Sequence, residues 1–199
     1  MITVSEAREK WNRRYVEKSK AGVAPEPNGL ALRFQHRVRG GVMLDAACGL
    51  GAGIATLIGQ VDRIVAMDLS ERALRDGKAY WMNRRKDHGA ISWVQADVGR
   101  MEWRGPCFEV ICAFGFTNWN FFRQVPGLLK TGGLFFYQGF SARQLTVKPN
   151  LDPAWTSTPE SLSALFHGFE ILALESSPSP PFRISFAAAA PGSPEELQP

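Results

Sequence analysis

The chain is poor in cysteine and histidine, with only three of each among its 199 residues. An odd number of cysteines without a Cys-x-x-Cys pair predicts neither a disulfide framework nor a zinc site, and no metal site is expected. Cys107 and Cys112 are typical of small, buried apolar side chains.

Long apolar runs are also missing. No stretch approaches the roughly 20 apolar residues of a membrane-spanning helix, and residues 1–8 lack the apolar region of a signal peptide. We therefore expect a cytoplasmic protein with no membrane partner.

A strong charge of either sign is lacking too. The 23 basic and 19 acidic residues leave a net charge of +4, which permits nucleic-acid binding without indicating it. The basic clusters at residues 33–39 and 84–86 are typical of solvated helix faces. We expect no nucleic-acid partner, and a chain that is a monomer or a homodimer.

Strand and helix patterns alternate from residue 42 onward. Strands are predicted at residues 42–47, 63–68, 91–96, 108–113, 134–138, 170–174 and 182–188. The short connection between the last two requires an antiparallel pair. The pattern predicts an α/β fold: a doubly wound, mostly parallel seven-stranded sheet with a C-terminal antiparallel hairpin.

A glycine-rich turn follows the first strand, with the sequence Asp45-Ala-Ala-Cys-Gly49-Leu-Gly51-Ala-Gly53. The glycines allow a tight turn and let a ligand approach backbone N–H groups. Asp45 would repel the pyrophosphate of a nicotinamide dinucleotide. S-adenosylmethionine has no phosphate and carries two cationic groups, so an acid here suits it. A dehydrogenase is therefore the last of the hypotheses.

Polar residues also follow the later strands, where open α/β sheets bind their ligands. Asp68 could accept both hydroxyls of a ribose, although an acid at a helix start is the alternative. Asp97 could accept from an adenine amino group, with Val98 supplying a backbone N–H; a turn aspartate is the alternative. The segment from Phe114 to Asn118 follows the fourth strand.

Together these residues resemble the class I S-adenosylmethionine-dependent methyltransferases. Residues 11–15 and 128–137 are similar, more narrowly, to small bacterial methyltransferases of the tellurite-resistance type. The resemblance implies one methyltransferase domain over residues 1–190, with an N-terminal helical lid at 1–40, an acceptor-side insertion at 140–157 and a disordered tail at 191–199. It implies the following cofactor-binding residues: Tyr15, Asp45, Ala46, Gly49, Gly51, Gly53, Asp68, Leu69, Asp97, Val98 and Phe114.

The acceptor side is where the chain departs from this group. Asn118-Trp119-Asn120 replaces a common His-Arg-Pro, and Gln138 replaces a common acid. We expect Trp11, Asn118 and Arg143 to bind the substrate and assign no catalytic residue. The three histidines fall near predicted helix ends, away from the site.

An acceptor that needs little activation, such as a thiolate, a chalcogen oxyanion or a carboxylate, suits a site without a base. The sequence thus predicts methyl transfer to a small molecule. An RNA methyltransferase and a non-catalytic S-adenosylmethionine-binding protein are the alternatives.

Overall fold

An eight-stranded sheet organises the chain in the computed structural model, which describes residues 3–82, 84 and 91–192. The strands are β1 (Val42–Ala46), β2 (Arg63–Asp68), β3 (Ile91–Gln95), β4 (Phe108–Phe114), β5 (Leu129–Ser141), β6 (Thr156–Ser157), β7 (Glu170–Ser176) and β8 (Arg183–Ala189). The α-helices are α1 (Val4–Lys20), α2 (Gly29–Phe34), α3 (Ala52–Leu57), α4 (Glu71–Met82), α5 (Trp119–Phe122), α6 (Val125–Leu128) and α7 (Pro159–Leu165). Short 3-10 helices cover Gln35–Arg37, Val98–Arg100, Ala142–Thr146 and Pro153–Trp155.

The strand order is β3-β2-β1-β4-β5-β8-β7. The first five strands of this order run parallel, and β8 is antiparallel to both β5 and β7. This confirms the predicted doubly wound sheet and its terminal hairpin. The carboxyl ends of β1 to β5 therefore meet at one edge.

The predicted irregular insertion contains more structure than its sequence indicated. β5 continues to Ser141, and the two residues of β6 pair in parallel with its last two, Phe140 and Ser141. Helices α5 and α6 are separate, because Pro126, the second residue of α6, has no N–H with which to continue the preceding helix.

Apolar side chains cover both faces of the sheet. Neighbouring residues of β5 point to opposite sides, so Phe135 lies in one buried cluster and Phe136 in the other. Helices cover both clusters, which is the arrangement that a parallel sheet requires.

Helix α1 begins at a capping box in which Thr3 and Glu6 bind each other's backbone N–H groups. Arg85 and Lys86 of the second basic cluster, His88 and residues 193–199 of the predicted tail lie outside the described residues. Within the described ranges, no helix is long and apolar enough to span a membrane.

Candidate functional site

A cavity of about 190 Å³ lies at the carboxyl edge of the sheet, under α1. It is lined by Trp11, Tyr15, Lys18, Ala47, Asp68, Leu69, Ala96, Asp97, Val98, Phe114, Gly115 and Phe116. Seven of the fourteen predicted site residues are therefore brought together here, from α1 and from the ends of β2, β3 and β4. A larger depression of about 400 Å³ lies between the end of α1 and α4, and of the residues at the strand ends only Leu50, in the glycine turn, lines it.

Asp68 is the central polar group of this cavity. One carboxylate oxygen accepts from the backbone N–H of Gly49 at 2.9 Å and the other from that of Ser70 at 2.8 Å. Burial raises the pKa of this carboxyl, and the two backbone N–H groups and Lys18 act in the opposite direction. Each oxygen keeps a further lone pair, so the carboxylate can still accept hydroxyl groups from a ligand.

The glycine turn has little free space around it. Gly49 has a φ of +57°, and a Cβ placed on it would collide with the Tyr15 hydroxyl. A Cβ on Gly53 would lie 2.7 Å from the Asp45 carboxylate. The turn therefore packs against Tyr15 of α1 on its outer side and against Asp45 on its inner side.

Asp45 lies under the turn and is absent from the cavity lining. Its side chain is 2% exposed and accepts from the backbone N–H of Ile54 at 3.2 Å, near the start of α3. In dinucleotide-binding folds, a pyrophosphate occupies that helix start. A carboxylate already occupies it here, so the geometry disfavours a dinucleotide. Contact between Asp45 and a ligand ammonium group stays a prediction.

Burial, and to a smaller extent Asp68, raise the pKa of Asp45 to about 8. An acid whose pKa is raised by folding stabilises the protein fully below its unfolded pKa of about 3.9, and that contribution is lost as the pH rises to about 8. We therefore expect the unfolding free energy of the wild type minus that of Asp45→Asn to decrease as the pH rises from 5 to 8. Urea unfolding at several pH values measures this difference. Asp62→Asn, which changes an exposed aspartate, is the control. A difference independent of pH would contradict it.

Asp97 and Val98 form the wall beyond Asp68. The Asp97 carboxylate accepts from the backbone N–H of Gly99 at 3.0 Å and so caps the short helix that follows β3. Val98 is 3% exposed. The turn role that the sequence offered as the alternative is therefore present, but Asp97 also faces the cavity, so one role does not exclude the other.

Helix α1 closes the outer side of the cavity. Trp11, Tyr15 and Lys18 lie at i, i+4 and i+7, on one stripe of the helix. Asn12 fixes its position, because its side-chain oxygen accepts from the Ser70 hydroxyl at 2.6 Å at the start of α4. Burial raises the pKa of Tyr15 well above its ordinary value, so the phenol is neutral.

Two predicted substrate residues have other contacts. The Asn118 side chain accepts from the backbone N–H of Phe121 and caps α5, and its amide fills the space where Gly99 lacks a Cβ. Arg143 lies 4.3 Å from the ring centroid of Phe182. Neither residue lines the cavity, so their role toward an acceptor stays a prediction.

The remaining predicted residues do not line the cavity: Ala46 ends β1, Gly49 and Gly51 belong to the turn, and Gly53 lies in the first turn of α3. Sequence analysis missed Lys18, Ala47 and Ala96, and it included Gly115 and Phe116 only within the segment from Phe114 to Asn118. The helical spacing from Trp11 could have identified Lys18, but an exposed lysine is more often simply solvated. Phe116 follows the same strand as Phe114 and was part of the segment singled out there.

The comparisons with known proteins agree with this geometry. Residues 43–133, which hold the turn, Asp68 and Asp97, match the family described as a methyltransferase domain. Both the match and the fold support an S-adenosylmethionine-dependent methyltransferase. They also indicate S-adenosylmethionine as the cofactor. No match was found among curated proteins.

Solved structures share the fold at low sequence identity. The magnesium protoporphyrin IX methyltransferase ChlM from Synechocystis PCC 6803, with bound S-adenosylhomocysteine, superposes with a TM-score of 0.69 at 12% identity, covering 94% of this chain and 99% of that chain. The [4+2]-cyclase SpnF gives 0.67 at 15%, covering 96% and 97%. A Bordetella parapertussis protein gives 0.62 at 17%, and the match spans 82% of this chain but only 66% of that one. Since one of these proteins is a cyclase, the fold alone does not determine the reaction.

The cavity fits this cofactor. Two carboxylates, Asp68 and Asp97, stand one strand apart, as ribose hydroxyls and an adenine amino group require. Ala47, the first residue of the glycine turn, also lines the cavity, and the Asp45 side chain already occupies the start of α3 where a phosphate would bind.

Proposed function

We propose that this protein transfers a methyl group from S-adenosylmethionine to a small-molecule acceptor. The observation that carries the proposal is the pair Asp68 and Asp97 in one cavity, beside a helix start that a carboxylate closes to phosphate. Asp68 would bind the ribose, Asp97 and Val98 the adenine, and the turn at Ala47–Gly49 the methionine moiety.

When bound, S-adenosylmethionine supplies a methyl group on a positively charged sulfur, which keeps the electron pair of the broken carbon–sulfur bond as the acceptor's lone pair takes the methyl group. The protein's task is to align the acceptor and exclude water. Trp11, Phe114 and Phe116 supply an apolar wall for this, and α1 covers it.

Among the described residues that line the cavity, none is a histidine, cysteine or glutamate, and the Tyr15 phenol is neutral. Lys18 is the one amine in this lining, and burial lowers its pKa. The two aspartates have the cofactor roles above. This supports an acceptor that is already nucleophilic near neutral pH, such as a thiolate, a carboxylate or a chalcogen oxyanion.

We expect S-adenosylhomocysteine to bind the purified protein and NAD not to bind, because the Asp45 side chain already occupies the start of α3, where it accepts from the Ile54 N–H, and leaves no place there for the pyrophosphate of NAD. Titration calorimetry with each compound measures this. NAD binding without S-adenosylhomocysteine binding would overturn the proposal. Release of S-adenosylhomocysteine from S-adenosylmethionine, dependent on an added acceptor, then separates an enzyme from a non-catalytic binding protein.

A further inference from the structure

Five basic side chains lie over aromatic rings on the side of the molecule that carries the cavity. We name them the cationic rim. The pairs, with nitrogen or guanidinium carbon to ring-centroid distances, are Lys10 with Trp155 (4.5 Å), Arg14 with Trp11 (5.1 Å), Lys18 with Tyr15 (4.8 Å), Arg143 with Phe182 (4.3 Å) and Arg183 with Phe140 (5.3 Å).

The α1 part of the rim belongs to the cavity itself. Trp11, Tyr15 and Lys18 line it, and Arg14 lies on the same helical stripe, three residues after Trp11. The contact between Lys10 and Trp155 joins α1 to the segment that precedes β6.

The other part of the rim continues from that segment along the carboxyl end of β5. Thr156 pairs with Phe140, and Phe140 pairs with Arg183 on the opposite side. Arg143 follows β5 by two residues and contacts Phe182, which precedes Arg183. The rim is thus one connected surface, running from α1 over the end of β5 to the start of β8.

The rim cations form no close ion pairs within the described residues, although Lys18 interacts with Asp68 over a longer distance. Within the described ranges, none of the five lies within 4.0 Å of a carboxylate, whereas Arg33, Arg37 and Arg72 each form an ion pair elsewhere on the surface. Asp152 is close in sequence to Trp155, but its side chain accepts from the Ala154 backbone N–H and caps the short helix there. Burial, and then repulsion by Arg14, hold the pKa of Lys18 below its ordinary value. An anion at the rim would relieve this repulsion.

We propose that the acceptor is a small anion, with a carboxylate or phosphate group on an apolar body, and that the cationic rim binds and orients this anionic group at the mouth of the cavity. The proposal rests on the proposed function, because it names the acceptor of that same site. The aromatic wall suits the apolar body, and guanidinium groups suit carboxylate and phosphate oxygens. The small size of the cavity favours a small molecule over RNA.

The test compares 4-mercaptobenzoate with 4-mercaptobenzamide, which differ mainly in charge at the end opposite the thiol. Each is titrated by calorimetry into protein saturated with S-adenosylhomocysteine, at low salt. We expect the acid to bind at least about tenfold more tightly than the amide. This ratio should fall to about threefold or less in Arg14→Gln and in Arg143→Gln, because each variant removes one cation of the rim. It should also fall to about threefold or less in the wild type at high salt, because salt screens exposed charges. Phenyl phosphate as competitor then compares phosphate with carboxylate as the preferred group.

Arg33→Gln is the matched control. Arg33 also lies over an aromatic ring, that of Phe34, but it is paired with Glu175 and is not part of the rim. Its acid-to-amide ratio should equal that of the wild type.

The outcomes separate the two proposals. Equal binding of acid and amide, no binding of either, or an unchanged ratio in both rim variants would overturn the anionic acceptor while S-adenosylhomocysteine binding leaves the proposed function standing. Tight, rim-dependent binding of a single-stranded RNA oligomer, with no difference between acid and amide, would assign the rim to nucleic acid instead. Failure of S-adenosylhomocysteine to bind at all would overturn the proposed function itself.

Discussion

Asp68→Ala is expected to weaken S-adenosylhomocysteine binding at least tenfold, since two charge-assisted hydrogen bonds to ribose contribute on the order of 2–4 kcal/mol. The structure adds a second reason. The same carboxylate accepts from Gly49 and Ser70, so its loss also releases the glycine turn from β2. Calorimetry measures the affinity, and circular dichroism shows whether the fold is kept.

The control for this variant lies at the other end of the same strand. Asp62 directly precedes β2 and accepts from the Gly41 backbone N–H at 2.7 Å, so Asp62→Ala also removes a carboxylate bound to a glycine turn. Its affinity for S-adenosylhomocysteine should not change. Asp68→Asn, which keeps one acceptor oxygen, should lie between the wild type and Asp68→Ala. An unchanged affinity in both Asp68 variants would reduce Asp68 to its structural role at the start of α4.

Gly49→Ala is expected to abolish measurable cofactor binding and to lower the stability. The added Cβ collides with the Tyr15 hydroxyl, and at a φ of +57° the left-handed backbone alone costs about 1–2 kcal/mol for a residue other than glycine. Relief of the collision has to displace the Tyr15 side chain, which is buried and lines the cavity. S-adenosylhomocysteine calorimetry and thermal unfolding measure the two effects.

Gly132→Ala separates the collision from the backbone strain. Gly132 has a φ of +70°, but a Cβ there meets no described atom within 4 Å. Gly132→Ala should therefore be destabilised only by the cost of the left-handed backbone conformation, and its affinity for the cofactor should not change. The double variant Gly49→Ala/Tyr15→Phe removes the hydroxyl that the new Cβ meets and should recover part of the binding. Equal loss in Gly49→Ala and Gly132→Ala would show that contact with Tyr15 has no part in the site.

The sequence alone determined the sheet of this protein and the acids at the ends of its strands. The alternation of strand and helix patterns predicted the sheet, and the short link before Phe182 predicted its antiparallel end, because both are local properties of the chain. The acids after β2 and β3 were identified for the same reason: parallel strands bring their carboxyl ends to one edge, so Asp68 and Asp97 meet whatever the details of packing are. Residues 43–133, which match the methyltransferase domain, contain nearly all of the first four strands of this sheet and both of these acids.

Tertiary structure alone decided which way each side chain faces. Asp45 and Asp68 lie at the carboxyl ends of adjacent strands, yet one lies under the turn against Ile54 while the other faces the cavity, a difference that depends on how α3 packs. Asn118 was predicted to meet an acceptor, but Gly99, nineteen residues away in sequence, provides the space that its amide fills. Lys18 and the rest of the cationic rim come together only when α1 and the segment after β5 contact each other through Lys10 and Trp155. Contacts between distant parts of the chain depend on the packed geometry, and no local pattern of residues encodes them.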